Sequence, residues 1–519
     1  MNSIIKYLTY RSFAKLTQKQ AVLKCHTTLK IWSFKCFHVS SSLTKDIDEE
    51  KEEDEVIDLR KRLYMHGDSG HQILVLQPYI KWGRGKKQNT KPELMLEESK
   101  GLVESLSKWK VVDGIVVPLE TFKRRLLFGT GNLEELKKTI RRNLSVTAVF
   151  VSIEQLTGVQ RKELEQAFKV PVFDRFSLVL HIFKERAQTK EAKLQVALAE
   201  VPYLRSLLRD IQDGVVGGDR LGGSTSAIGG AGETFFETRK RLLSARERRI
   251  KDQLETLRAQ RQRVRINREK RQIPVISVVG YTNAGKTSLI RSLTGDDKIT
   301  PENRLFATLD VTAHAGYLPC NLQTIYVDTV GFLTDLPMRL IEAFSATLED
   351  ALNADAIIHV RDISHPEAEL QFQTVNSTLS SLNIPQKLKD NVILVANKVD
   401  KLVGVDPSNL SKEELEEKIE KLNIRPEDGI PVCATRGIGL IDITSSLQDK
   451  ILSSTGRIVK LFRVPSGSEA YQWLNKECAI TRVFQDKLDP QMAIMQAVVH
   501  EAALGKLRKL FPKIQILKS

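Results

Sequence analysis

The chain of 519 residues has little cysteine. Five cysteines (Cys25, Cys36, Cys320, Cys433 and Cys478) form no CxxC pair, which argues against a disulfide framework or a zinc cluster. No uninterrupted apolar run approaches the roughly 18 residues that a membrane-spanning helix requires. No internal repeat is visible. Aromatic residues make up only 6% of the chain, yet 41% is hydrophobic and 28% charged, the balance of a folded globular protein. At about 150 residues per domain, the length leaves room for three or four units.

One absence is local. Residues 1–45 hold eight Lys/Arg and no Asp or Glu, with Ile4, Ile5, Leu8, Phe13 and Leu16 between the charges. An acid-free, Ser/Thr-rich cationic stretch that can form an amphipathic helix has the composition of a mitochondrial transit peptide. The competing reading is a basic nucleic-acid-binding tail. The sharp switch at Asp46 favours targeting, because nine acidic groups and one Lys follow in 46–58. Residues 46–69 are therefore expected to be an acidic disordered linker.

The whole chain carries 79 Lys/Arg against 64 Asp/Glu, a net charge of +15. Much of the excess lies in 239–271, where fourteen Lys/Arg face Glu247, Asp252, Glu255 and Glu269, a local +10. Such a segment favours a polyanionic partner.

Short β-branched runs at 73–80, 111–119 and 147–153 alternate with helical patterns at 133–143 and 154–168. This predicts an α/β subdomain over 70–175. A helical stretch follows, with Leu194, Leu198, Val201, Leu204, Leu208 and Ile211 at spacings of three and four. Pro202 is expected to kink or break it. The segment 214–233 then has eight glycines in twenty residues. Beyond it, Phe236, Leu243, Ile250, Leu257 and Val264 are seven apart, the seam of one coiled-coil arm. An antiparallel hairpin over 176–271, with the glycine-rich segment at its tip, is the simplest arrangement. Strand–helix alternation resumes over 272–455, and 456–519 reads as a small basic α/β or helical C-terminal domain.

Four ordered motifs mark 272–455 as a P-loop domain. VISVVGYTNAGKTSLI (275–290) runs from strand through GxxxxGK[ST] into helix, with Gly280, Gly285, Lys286 and Thr287 at the pattern positions. Backbone N–H groups of such a loop, including those around Asn283, Ala284 and Ser288, close on phosphate oxygens. Lys286 is placed to reach the β- and γ-phosphates and Thr287 to offer its hydroxyl to Mg²⁺. In QTIYVDTVGF (323–332), Asp328 is expected in the Mg²⁺ shell and Gly331 at the γ-phosphate. NVILVANKVD (391–400) ends in NKxD. Asp400 there can accept from both guanine N1 and N2, which adenine cannot offer, while Asn397 braces the loops beside Lys398. CATRGIGL (433–440) resembles the fifth motif, with Cys433 and the Ala434 backbone at guanine O6. Thr308 of LFATLD is the expected switch I threonine, a third Mg²⁺ ligand. Phe332 occupies the place where many GTPases carry a water-orienting glutamine, so unaided hydrolysis should be slow. Asn283 sits where similar GTPases coordinate a monovalent cation, which makes K⁺ a candidate cofactor.

Outside these motifs, FGTGNLEELK (128–137), VFDRFSLVLHIFKERAQTKEAKLQVALA (172–199) and GAGETFFETRKR (230–241) resemble the HflX family of ribosome-associated GTPases, and the resemblance spans about 70–455. It implies an N-terminal α/β subdomain with a long helical hairpin, a translational-type G domain and a small C-terminal domain. It also implies GTP hydrolysis and binding to the large ribosomal subunit and its rRNA, with the glycine loop reaching toward the peptidyl-transferase centre. The basic N-terminus is similar to that of the animal mitochondrial members. Gly222, Gly223, Gly230 and Gly232 of the loop and Arg246, Arg248 and Arg249 of the basic arm are the expected RNA contacts. A monomer is expected, acting in ribosome dissociation or large-subunit maturation, with no DNA or membrane partner. An RNA-binding GTPase acting on another RNA, such as tRNA, is the alternative. Where the family commonly has Lys and Asp, this chain has Asn132 and His181.

Overall fold

The computed structural model describes residues 70–82, 90–122, 124–212, 235–270, 273–334, 340, 353–381, 385–403, 410–422, 424–486, 489–512 and 514–517. The readings for 1–45, 46–69 and the tip 214–233 lie outside them.

Strand β1 (Gln72–Ile80) is almost wholly buried. A run such as Ile73-Leu74-Val75-Leu76 needs cover on both faces, which a parallel sheet flanked by helices provides. With β2 (Lys110–Leu119), β3 (Ala148–Val151) and β4 (Val172–Phe173) it forms an all-parallel sheet in the order β2-β1-β3-β4. The crossovers are α1 (Pro92–Glu104), α2 (Thr130–Arg142) and α3 (Gly158–Phe168). Leu136 and Ile140 of α2 and Leu164 of α3 pack on Leu74, Leu76, Val149 and Val151. The helix expected over 154–168 starts only at Gly158. Thr157 stops it earlier with a capping box, its hydroxyl accepting from Gln160 N at 3.2 Å while its own N–H donates to Gln160 Oε1 at 3.0 Å. Helix α1 was not anticipated, although Pro92 suits a first helical turn. A cavity of about 1520 Å³ opens beyond the carboxyl ends of β1 and β3, where the strand order reverses.

Helix α4 (Arg175–Arg186) leads to α5 (Lys190–Gln212), which packs on α6 (Phe235–Lys270). The pair is antiparallel: Arg205 meets Glu247 at 2.7 Å, while Glu191, earlier in α5, meets Arg261, later in α6. Leu243, Ile250 and Leu254 are buried along the seam and Leu257 is half-buried. The break expected at Pro202 does not occur, since α5 is one continuous helix. Val201, Tyr203 and Leu204 beside the proline are buried, and that packing offsets the lost backbone hydrogen bond.

The second sheet has the order β10-β9-β8-β5-β7-β6. Strands β5 (Val275–Gly280), β7 (Gln323–Asp328), β8 (Ala356–Asp362), β9 (Val392–Asn397) and β10 (Ile430–Val432) run parallel, while the edge strand β6 (Thr312–Tyr317) is antiparallel to β7. Its helices include α7 (Lys286–Thr294), α8 (Ala368–Ser381), α9 (Gln386–Asp390), α10 (Lys412–Glu420) and α11 (Leu440–Thr455).

The C-terminal region is α+β, not a helical tail. Strands β11 (Arg457–Pro465), β12 (Ala479–Gln485), β13 (Met492–His500) and β14 (Gln515–Leu517) form an antiparallel sheet in the order β12-β13-β11-β14, covered by α12 (Glu469–Glu477) and α13 (Glu501–Leu510). Met495, Ala497 and Val499 alternate inward on Phe462, Val464 and Leu474.

Candidate nucleotide site

Strand β5 ends at Gly280 and α7 begins at Lys286, with the loop between them shaped by backbone only certain residues adopt. Gly280 has φ +155° and a Cβ there would press on the Val360 carbonyl; Gly285 has φ +96° and a Cβ would strike the Asn397 amide. Asn283 itself is left-handed at φ +59°, held by its side-chain donation to Asn303 Oδ1 at 2.9 Å. Ala284 is buried, and Ser288 gives its carbonyl to Ser292 at 3.1 Å in the first turns of α7.

Lys286 is buried, its ammonium donating to the carbonyls of Tyr281 at 3.0 Å and Gly280 at 3.3 Å. Burial pushes its pKa down to about 8, with Asp328 opposing the shift. A desolvated cation of this kind gains most from an anion placed at its tip. Gly331 lies against it. A Cβ on that residue would come within 3.0 Å of Lys286 Nζ and 2.8 Å of Thr282 Cγ2, so only glycine lets this loop approach the P-loop.

Thr287, Thr308 and Asp328 converge. Asp328 Oδ2 accepts from Thr287 Oγ1 at 2.7 Å and Thr308 Oγ1 at 3.1 Å, and the two hydroxyls are 3.1 Å apart. Burial raises the Asp328 pKa against the pull of Lys286. Its Oδ1 is buried and has no hydrogen-bond partner among the described residues. Two hydroxyls and a carboxylate with an unused buried oxygen form an all-oxygen donor set, which fits a hard cation such as Mg²⁺.

On the base side, Asn397 donates to Ala284 O at 2.8 Å and accepts from Ala434 N at 3.2 Å. It thus ties the P-loop to the fifth motif. The Ala434 N–H expected at guanine O6 donates here to Asn397 Oδ1, and the Ala434 carbonyl accepts from Ser292 Oγ at 2.5 Å. Lys398, left-handed at φ +64°, donates to Asn283 O and Asp362 Oδ2, both at 2.7 Å. Asp400 lies in the 3-10 turn Val399–Leu402, and burial pushes the Cys433 thiol up. Cys433 is fully buried, its sulfur 3.4 Å from Thr435 Oγ1.

Phe332 is buried, with its N–H on Gly280 O at 3.2 Å and its carbonyl accepting from Thr282 N at 2.7 Å. Residues that the motifs did not point to complete the pocket wall: Pro301, Glu302, Arg304 and Phe306 stand beside Thr308 around a phosphate cavity of about 50 Å³. The expected RNA-contact residues are not brought into this site. Gly222, Gly223, Gly230 and Gly232 fall outside the described residues. On α6, Arg248 is exposed and Arg246 and Arg249 are half-buried. His181, a departure from the family pattern, packs in an aromatic cluster with Trp109 at 5.8 Å and Phe173 at 5.9 Å.

Three family models cover most of the described chain. Residues 93–184 match a model described as GTP-binding GTPase N-terminal, and 186–268 one described as GTP-binding GTPase middle region. Residues 275–398 match one described as 50S ribosome-binding GTPase. The putative GTP-binding protein 6 of Xenopus laevis is 42% identical over 470 residues, covering 90% of this chain and 85% of its own. The Homo sapiens protein of the same name is 45% identical over 443 residues, covering 85% and 81%. A GTPase HflX from Caldanaerobacter subterraneus subsp. tengcongensis is 36% identical over 377 residues, covering 72% and 79%. The chain belongs to the HflX family. It binds GTP and hydrolyses it, on a P-loop domain preceded by the family's N-terminal and middle regions. Among the described residues, no helix is long and apolar enough to cross a membrane.

Proposed function

We propose that this HflX-family GTPase acts in mitochondria on the large ribosomal subunit, in ribosome dissociation, subunit maturation or both. The observation that carries the reading is the basic arm: α6, with most of the +10 segment along it, packs directly on a helix that enters the N-terminal subdomain. A rod of arginines projecting from a nucleotide-controlled domain suits a phosphate backbone, where counterion release drives binding. The acid-free N-terminus supports the mitochondrial address. An alternative RNA such as tRNA would leave the length of the hairpin without a use.

In this mechanism Lys286 neutralises the β- and γ-phosphates and the P-loop N–H groups hold them. Thr287, Thr308 and Asp328 would hold Mg²⁺, which when bound would supply positive charge to offset the charge developing in phosphoryl transfer. Gly331 brings its N–H to the γ-phosphate. Asp400 reads the guanine edge and Asn397 keeps the two base loops in register. A K⁺ role rests on Asn283, whose amide nitrogen is committed to Asn303.

Sucrose-gradient cosedimentation with mitochondrial subunits and intact ribosomes tests the reading, with GTP, GDP and a nonhydrolysable analogue in separate arms. Cosedimentation with the large subunit in the triphosphate arms is the expected result. Binding to tRNA or to neither subunit would reject it.

A further inference from the structure

Switch I does not stand free in the structure. Three contacts dock it on the elbow between α4 and α5, at the root of the hairpin. Phe306 is 1% exposed and meets Phe183 of α4 edge-on, with ring centroids 5.0 Å apart. Its φ is +54°, a left-handed backbone that a bulky side chain adopts only when its surroundings impose it. Arg186, the last residue of α4, pairs with Glu302 at 3.1 Å. Asp310 then seals the start of α5. Its carboxylate accepts from the N–H groups of Gln188 at 3.0 Å and Thr189 at 3.3 Å, and from the Thr189 hydroxyl at 2.5 Å. A carboxylate at a helix N-terminus meets unsatisfied N–H groups and the positive end of the dipole.

Phe306 and Asp310 lie two residues before and two residues after Thr308. Thr308 is the residue whose hydroxyl stands 3.1 Å from both Asp328 and Thr287. Switch II has a parallel tie. Tyr281 of the P-loop donates to Glu98 of α1 at 2.5 Å and accepts from Thr334 N at 2.8 Å, while Arg175 of α4 holds both Glu98 and the Thr334 carbonyl at 2.8 Å.

We propose that the N-terminal subdomain completes the GTP-hydrolysis site, with Phe183, Thr189 and Asp310 as positioning residues that seat Thr308 against Asp328 and Thr287. Docked switch I is the arrangement competent for the metal, and the hairpin's own root sets it. Any load on the hairpin is thereby transmitted to Thr308. The inference rests on the GTPase activity and stands whether or not a ribosome is the partner. A simple domain interface would not need a left-handed phenylalanine, nor would its contacts bracket one threonine.

Phe183 and Thr189 lie outside the G domain, so their variants leave every nucleotide-contacting group in place. Phe183→Leu and Thr189→Val should each lower kcat about tenfold while KM for GTP stays within about twofold, and Thr189→Ser should restore the rate. A second reading is independent of turnover. Affinity for a nonhydrolysable GTP analogue should need about tenfold more Mg²⁺ in these variants, with GDP affinity little changed. Asp310→Asn should behave like Thr189→Val. The control is Leu136→Ala, in the core of the same subdomain, which should lower Tm without altering kcat or the Mg²⁺ requirement. Unchanged or raised kcat in Phe183→Leu and Thr189→Val would overturn the proposal. So would a loss of kcat that Leu136→Ala reproduces at equal loss of Tm.

Discussion

Asp400 carries its specificity through two lone pairs, and its setting is already constrained. It lies on the 3-10 turn Val399–Leu402, directly after Lys398 and the buried Asn397, whose hydrogen bonds fix the start of the loop. Asp400→Asn exchanges one acceptor for a donor. It should weaken GTP binding by about 100-fold and improve binding of a xanthine nucleotide, read by competition against a fluorescent GTP analogue. Preference of the unaltered protein for ATP would sink this assignment. Phe332 makes a second residue-scale prediction. A buried phenyl ring tied to the P-loop backbone cannot orient water. Single-turnover hydrolysis by the purified protein should therefore be on the order of the unassisted rate of small GTPases, ~10⁻⁴ to 10⁻² s⁻¹, and should rise on ribosomal particles. Rapid turnover by the isolated protein would contradict activation by the particle.

Strand β8 shows how an element can hold a titratable group in a core and so acquire a pH dependence. His359 is buried at its centre, stacked on Phe372 at 5.1 Å, and burial pushes its pKa down to about 3, with Arg361 and Lys286 adding repulsion. Between about pH 3 and 6.5 the unfolded chain binds a proton there that the folded chain refuses. Stability is thus lost as pH falls through that window and is independent of this group above it. Replacing it by leucine should flatten the acid limb. Urea unfolding at pH 7 and pH 5 should show the native chain losing on the order of 2 kcal/mol more than His359→Leu. Parallel losses in the two proteins would mean that the histidine is protonated in place. The sequence placed β5, β7 and β9 of the same sheet well, because each ends in a motif whose residue types are dictated by phosphate or base. It gave no hint of the Phe183–Phe306 or Tyr281–Glu98 contacts, which join residues 123 and 183 positions apart. Local periodicity cannot encode pairings of that range. The break that Pro202 allowed is absent for the same reason, since distant packing outweighed a local rule. Thr157 could have been read: Thr-x-x-Gln is a capping box, and it marked the true start of α3.

At the scale of the whole molecule, charge and nucleotide chemistry occupy separate parts of the chain, and this makes them separable by experiment. The basic arm lies along α6, while the phosphate and base groups lie at the carboxyl ends of the second sheet. Each cationic side chain that contacts rRNA phosphate should release counterions, so subunit binding should fall steeply with salt while GTP binding falls little. Arg246, Arg248 and Arg249 sit on one turn of that arm. Reversing all three to Glu should weaken cosedimentation about 100-fold near 0.1 M salt and reduce the salt slope by roughly two to three. Glu247 on the same turn pairs with Arg205 of α5 and Lys251, so the reversal also places acid beside acid. Thermal unfolding of the variant must therefore be measured alongside, to separate lost contact from a loosened hairpin. The glycine-rich segment 214–233 makes the opposite prediction, because it carries little charge and its glycines accept backbone conformations closed to other residues. Replacing 221–232 by a short linker should leave cosedimentation intact and abolish ribosome splitting or subunit maturation. A linker-bearing protein with full activity in both assays would reduce the segment to a connection between two helices, for which about two to eight residues suffice.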